Sequence, residues 1–523
     1  MRFSSPMAFL FVWISMAGVA GQKGADPGFV PIFDGVTLTG WDGDPKYWRV
    51  EDGAITGEST AENPCKRNTF LIWRLGELDD FELRLRYRIT AGNSGIQYRS
   101  VDRGNWDIGG YQADISADGQ WTGTNYHEHG RGVLAKRGQK VAVGDGKGQV
   151  EVLGSLGDPE ELLAKIKPNG WNEYRIVARG RRLIQEINGA VMSDVLDKGE
   201  KDFLRSGVLA LQIHSGPPMK VQFKDVQLKR LPLADGEKKV VLVAGRKSHG
   251  FGSHEHKAGC MLLAKRLNAN VPKVVATVYD GGWPQDPTAF DNANSIVLYM
   301  DGGGGHPVNR HLPQVDALMD KGVGLVCIHY AVEVPKGDPG DRMLEWTGGY
   351  FETWWSVNPH WKAEFKSLPD HPVARGVEPF SINDEWYYHM RFRPDMARVS
   401  PILTAIPPAS TLERKDGAHS NNPHVRARKG MSEHVAWASE RDGGGRGFGF
   451  TGGHFHWGWG PDDFRMLVLN AIVWTTGSDI PQGGVQSPTP TVDELLANQD
   501  YDAPKKFDRT SLEKKLQAWN GAR

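Results

Sequence analysis

Apolar and polar positions alternate with a period of two through much of the first 230 residues. In residues 81–89 the side chains of Phe81, Leu83, Leu85, Tyr87 and Ile89 fall on one face and charged residues on the other, the signature of a strand with one face on a core. Stretches 171–178, 182–187 and 219–228 repeat the pattern, and Asn188-Gly189 between two such runs predicts a tight hairpin. Many short strands, glycine-rich turns and little helical periodicity predict a sandwich or jelly roll over residues 28–231. Residues 232–237, with Pro232 and Gly236, are the expected linker.

From residue 238 the period changes. Residues 240–245 form a continuous apolar run of the kind buried in a parallel sheet, and 274–278, 295–300 and 324–328 resemble it. Near the end, Phe464, Leu467, Val468, Ala471 and Ile472 recur at helical spacing, with Pro461 expected at the first helical position and Gly477 as the stop. Strands alternating with helices predict an open, doubly wound α/β domain over 238–478. Residues 479–523 read as a tail with a short helix that packs against the body.

Three strand-like blocks each carry a pair of polar side chains at alternate positions: Gln97 and Arg99 in the first, Gln112 and Asp114 in the second, Gln212 and His214 in the third. Because alternate residues share a face, neighbouring strands of this kind would assemble one polar patch. It would hold an acid, a base and a cation on a surface suited to a sugar.

Composition narrows the partners. With 62 basic and 63 acidic residues the formal charge is −1, so no overall field draws the chain to nucleic acid or an anionic membrane. Residues 1–20 read as an export signal: Arg2 starts it, 7–19 are apolar, and Gly18-Val19-Ala20 supply small residues for cleavage. A periplasmic or extracellular location is expected. No later stretch is long and apolar enough to span a bilayer. Cys65, Cys260 and Cys327 are odd in number and widely spaced, which suits neither a disulfide framework nor a zinc motif.

The first domain resembles the 3-keto-disaccharide hydrolase family. The resemblance rests on Phe33-Asp34-Gly35, Gly40-Trp41, Trp48-Arg49-Val50-Glu51-Asp52-Gly53, the three polar blocks, Trp171-Asn172 and Asn188-Gly189. It implies a concanavalin-like jelly roll and a small carbohydrate substrate. The second domain resembles the trehalose-utilisation family, whose fold is related to class I glutamine amidotransferases. Here the matching residues include Ser253-His254-Glu255-His256, His371-Pro372, Asp384-Glu385-Trp386-Tyr387 and Thr451-Gly452-Gly453-His454.

A ketone at sugar carbon three acidifies the proton on carbon two, so such a glycoside can break by elimination across carbons one and two, with water adding afterwards. That route needs a base, donors for an enolate oxygen and an acid for the leaving group. The resemblance implies a hydrolase or lyase in which Asp114 or His214 is the base. Arg99 with Gln97 or Gln112 would hold the oxyanion, and His127 or Glu128 would protonate the leaving oxygen. Gln212 and Asn93 would bind substrate. The alternative is a carbohydrate-binding jelly roll that serves a catalytic second domain.

In amidotransferases a cysteine stands at a sharp strand-to-helix turn. Here that position is His329, and Cys327 lies within the strand, so glutaminase activity is not expected. The second-domain candidates are His254, His256, His329, Glu385 and His454, with His249 and Asp384 nearby. No cofactor is implied; a divalent metal among these histidines stays open.

Overall fold

The computed structural model describes residues 27–521; the expected export segment lies outside them. Among the described residues, two sheets form the first half. One has ten strands, with Phe81–Ala91 and Met219–Arg230 at its centre. The other has seven, ordered Gly132–Ala135, Asn125–Glu128, Asp107–Ser116, Asn93–Gly104, Gly207–Ile213, Thr69–Leu78 and Trp41–Asp42. The alternating apolar residues meet between the sheets: Leu83, Leu85 and Tyr87 from one, Ile96, Tyr98, Tyr111 and Leu211 from the other, all buried in one core. The hairpin at Ile187↔Ala190 has Asn188 and Gly189 at φ +49° and +80°, the two left-handed positions a two-residue hairpin requires.

The second half is built on a seven-stranded sheet. Its first strand, Lys238–Ala244, has Val274–Tyr279 on one side and Ser295–Tyr299 on the other, followed by Gly324–Ile328 and Arg446–Phe450, all parallel. Two antiparallel strands, Glu433–Glu440 and Val399–Ala405, complete the edge. The strand order therefore reverses beside Lys238–Ala244, and loops at the carboxyl ends of these strands line the crevice where open α/β sheets bind ligands. The helix Asp462–Thr475 is buried along most of its length. Pro461 is its cap residue, one position earlier than expected, and Gly477 follows it at φ +82°. In the tail, Leu495, Leu512 and Leu516 are buried against the second-domain core.

A buried charged network joins the halves. Lys239 Nζ lies 2.6 Å from Asp79 Oδ2, Asn292 Nδ2 donates to Asp79 Oδ1 at 3.1 Å, and Arg230 Nη2 lies 2.8 Å from Asp286 Oδ2. Burial alone would raise the Asp79 carboxyl, but Lys239 and Arg230 hold it far below the usual carboxylate range.

Candidate functional site

The polar blocks do come together on the outer face of the seven-stranded sheet. Gln97 pairs with Gln112 and Gly95 with Asp114 across one strand boundary, and Ala210 pairs with Gln97 across the other. Continuing that register places Gln212 beside Gly95 and His214 beside Asn93. Cross-strand partners share a face, so Gln212, Gly95 and Asp114 form one row and His214, Asn93 and Ser116 the next. Tyr126 pairs with Gln112, and Glu128 with Gly110, bringing two more polar side chains to the same face. Ile96, Tyr98, Ala113 and Ile213 point the other way, into the core.

An amide relay runs through the patch. Ser100 Oγ donates to Gln97 Oε1 at 2.7 Å, Gln97 Nε2 to Gln112 Oε1 at 2.8 Å, and Gln112 Nε2 to Asp114 Oδ1 at 2.6 Å. The relay is tight because Gly95 has no side chain: a Cβ there would come within 2.5 Å of Gln112 Cδ. Asp114 is 4% exposed. Burial, reinforced by the charge of Glu128 and only partly offset by the Gln112 hydrogen bond, pushes its carboxyl up to about 8, so Asp114 is a protonated acid at neutral pH.

Around it the fold leaves unused hydrogen-bonding capacity. Gln212 Nε2 and Asn93 Oδ1 are buried without a partner, which in a finished core costs about 1–3 kcal/mol each and which a ligand's oxygens and hydroxyls would relieve. His214 Nδ1 donates to the Ser215 carbonyl at 2.6 Å, leaving Nε2 with its lone pair. His214, Asn93, Ser116 and Trp121 border a cavity of about 320 Å³. Asn68, which no sequence pattern singles out, bridges the site: its amide donates to Glu128 Oε1 at 3.2 Å and accepts from Ser215 N at 3.0 Å.

Two expected members lie elsewhere. Arg99 does not share the face of Gln97, because a bulge shifts the register between Tyr98 and Val101 and Arg99 takes φ +46°, breaking the alternation. Its guanidinium is wholly buried at the end of the sandwich, donating to Asp79 O at 2.6 Å, Gly180 O at 2.7 Å and Asp80 Oδ1 at 2.7 Å. His127 pairs with Tyr111 and so faces the core side, tilted against that ring. Arg131 Nε donates to its Nδ1 at 3.0 Å, and burial with the Arg131 charge lowers it to about 4. Neither residue can handle an oxyanion or a leaving group on the outer face.

The second domain gathers its histidines at the carboxyl ends of the parallel strands. His254 Nε2 lies 3.2 Å from His329 Nε2 and 3.0 Å from His454 Nδ1, while Glu385 Oε2 lies 3.2 Å from His454 Nδ1 and 3.5 Å from His329 Nε2. All four donor atoms fall within 4.8 Å of one another and could hold a metal, and His249, His254 and Asp301 form a second, overlapping group with that spacing. His329, directly after its strand, and His254 both sit at positive φ, +55° and +51°, a strain typical of functional positions. Asp384, buried, accepts from the backbone N–H of Gly453 at 2.8 Å and His454 at 3.1 Å, which fixes the His454 loop. Burial would raise Glu385, but hydrogen bonds and charge from His329 and His454 hold it well below its ordinary value.

His256 is a correction: it is buried at the start of its helix against Tyr299, with Nε2 3.6 Å from Asp301, and does not reach the four donors. Asp301 and Tyr387 take part instead. Asp301 Oδ1 is 2.7 Å from His254 Nδ1, and Tyr387 Oη is 3.2 Å from His329 Nε2. Cys327 is buried inside its strand, where burial pushes the thiol far up, leaving no thiolate to act.

Among solved structures, a protein assigned as a glycosyl hydrolase from Parabacteroides distasonis ATCC 8503 is 21% identical, covering 39% of this chain and 94% of its own, at TM-score 0.27. The carbohydrate-binding module CBM66 from Bacillus subtilis is 15% identical over 37% of this chain and 96% of its own, at TM-score 0.25. A ThuA-like protein from Bacteroides uniformis ATCC 8492 is 17% identical over 48% of this chain and 96% of its own, at TM-score 0.33. No curated protein matches the chain. Residues 28–229 match the family model of the 3-keto-alpha-glucoside-1,2-lyase-like domain and residues 240–475 that of trehalose utilisation, so the chain joins one member of each family.

Proposed function

We propose that this chain is an exported enzyme that cleaves 3-keto glycosides by elimination on the outer face of its first domain. The observation that carries this reading is Asp114: a buried carboxyl kept protonated to about pH 8, beside an amide N–H with no partner. Elimination needs both, an acid for the glycosidic oxygen and a donor for the enolate. Ordinary glycosidase chemistry instead pairs an acid with a carboxylate nucleophile or base about an oxocarbenium-like state.

His214 Nε2 takes the proton from carbon two. The electron pair moves into the carbon-three carbonyl, whose oxygen accepts from Gln212 Nε2. Collapse of the enolate breaks the bond from carbon one to the glycosidic oxygen, and Asp114 gives that oxygen its proton. The His214 and Asp114 backbones lie two strands apart, about 10 Å, a separation that one sugar ring and the two side chains can span. Asn93 Oδ1 accepts from a ring hydroxyl. With Arg99 elsewhere, amides do the work assigned to a cation.

The export reading rests on Arg2, the apolar residues 7–19 and the small residues at 18–20. The test is to give the full chain a 3-keto disaccharide and its unoxidised parent and follow products by NMR. Cleavage of the oxidised sugar alone is expected. Equal cleavage of the parent, or binding of either sugar without turnover, would overturn the proposal.

A further inference from the structure

We infer that His254, His329, His454 and Glu385 bind one divalent transition-metal ion, making the second domain a metal centre independent of the chemistry on the first.

Each inner histidine is oriented from its far side. His329 Nδ1 donates to the Thr451 carbonyl oxygen at 2.8 Å, and His254 Nδ1 lies 2.7 Å from Asp301 Oδ1. Both rings are thereby turned so that their Nε2 atoms converge, 3.2 Å apart. An orienting partner on the far nitrogen is the usual arrangement of a metal-bound histidine.

Spacing gives a second, independent argument. Metal–ligand bonds of about 2.0–2.1 Å at tetrahedral angles put donor atoms roughly 3.3 Å apart. Four of the six donor separations are 3.0, 3.2, 3.2 and 3.5 Å, and the other two lie within 4.8 Å. Three imidazoles and one carboxylate are a donor set for zinc, cobalt, iron or manganese rather than calcium or magnesium, which prefer oxygen.

Access suggests what the ion does. The His254 and His329 side chains are 2% and 0% exposed, whereas Glu385 and His454 are 12% and 11% exposed. The cluster is closed on one side and opens on the other, leaving room for water or for the adjacent carbonyl and hydroxyl oxygens of an oxidised sugar as a further ligand. A purely structural ion would be enclosed by its four protein donors.

The experiment strips the full chain with a chelator, confirms its fold by circular dichroism, and titrates Zn²⁺ by calorimetry and Co²⁺ by visible d–d absorption. One equivalent per chain is expected, with Co²⁺ bands of a nitrogen-rich four- or five-coordinate site. His254→Ala with His329→Ala should abolish uptake. Should that double variant not fold, Asp301→Asn, which leaves all four donors in place and alters only the orientation of His254, should weaken binding about 10- to 100-fold. Failure of the wild type to take up either ion, or unchanged affinity in a folded ligand or Asp301 variant, would overturn the assignment. Neither outcome depends on whether the first domain turns over a 3-keto glycoside.

Discussion

Asp114→Asn separates a functional acid from an ordinary buried polar residue. Asparagine matches the protonated carboxyl in shape and can still accept the 2.6 Å hydrogen bond from Gln112, but it cannot release a proton. In the folded chain Asp114 titrates at about 8, against roughly 3.9 when unfolded. Between those values the folded state keeps a proton that the unfolded state has lost, so the stability Asp114 contributes is full below about pH 4 and drains away as pH rises to about 8. The slope is about 1.4 kcal/mol per pH unit, with an upper bound of about 6 kcal/mol across the window. Melting temperatures of wild type and Asp114→Asn from pH 5 to pH 9 measure it: the variant should gain steadily on the wild type and the gain should level off above about pH 8. At about 2–4 °C per kcal/mol for a domain of this size, even a third of the bound is resolvable. On a 3-keto glycoside, wild-type kcat/KM should fall above about pH 8 and the variant should lose about 100- to 10,000-fold. Parallel melting curves would show that Asp114 is already ionised, and the acid role would fail with them.

Three further substitutions probe other parts of the account. Gly95→Ala places a methyl within 2.5 Å of Gln112 Cδ at a backbone conformation any residue can adopt; turnover should drop at least about tenfold with a much smaller change in melting temperature, and retained activity would mean the amide relay is dispensable. Asp79→Asn removes one partner of the buried network between the halves, and should cost about 3–5 kcal/mol at neutral pH. Because Asp79 is held below its ordinary range, that difference should shrink as pH falls below about 4, which chemical denaturation across pH will show. Cys327→Ala should leave turnover of the 3-keto substrate unchanged, and neither form should release ammonia from glutamine; loss of activity on this change would reopen the thiol as a nucleophile.

Much of this was legible from alternation alone. The strand at residues 81–89, the Asn188-Gly189 turn and the parallel runs of the second half all follow from one period and its change near residue 238. The placement of Gln97, Gln112, Asp114, Gln212 and His214 on one face followed from the same rule. Arg99 escaped it because a bulge and a positive φ interrupt a strand without any mark that alternation can register. His127 and Glu128 are adjacent, so only one could reach the outer face; the register with Tyr111 decides that it is Glu128. Asn68 lies far away in sequence and enters through tertiary contact only. In the second domain, residue type and position after strands indicated His254, His329, His454 and Glu385. The spacing of His256 from His254 carried no such geometry, and Asp301 needed the strand order to bring it beside His254.

Elimination can be told from direct hydrolysis by the fate of the hydrogen on carbon two. The full chain should be incubated with a 3-keto disaccharide in D₂O and the sugar released from the ketone-bearing half examined by NMR and mass spectrometry. Elimination gives either the enone or a 3-keto sugar carrying deuterium at carbon two, with both absent in Asp114→Asn. A released 3-keto sugar that keeps its original hydrogen at carbon two would contradict it.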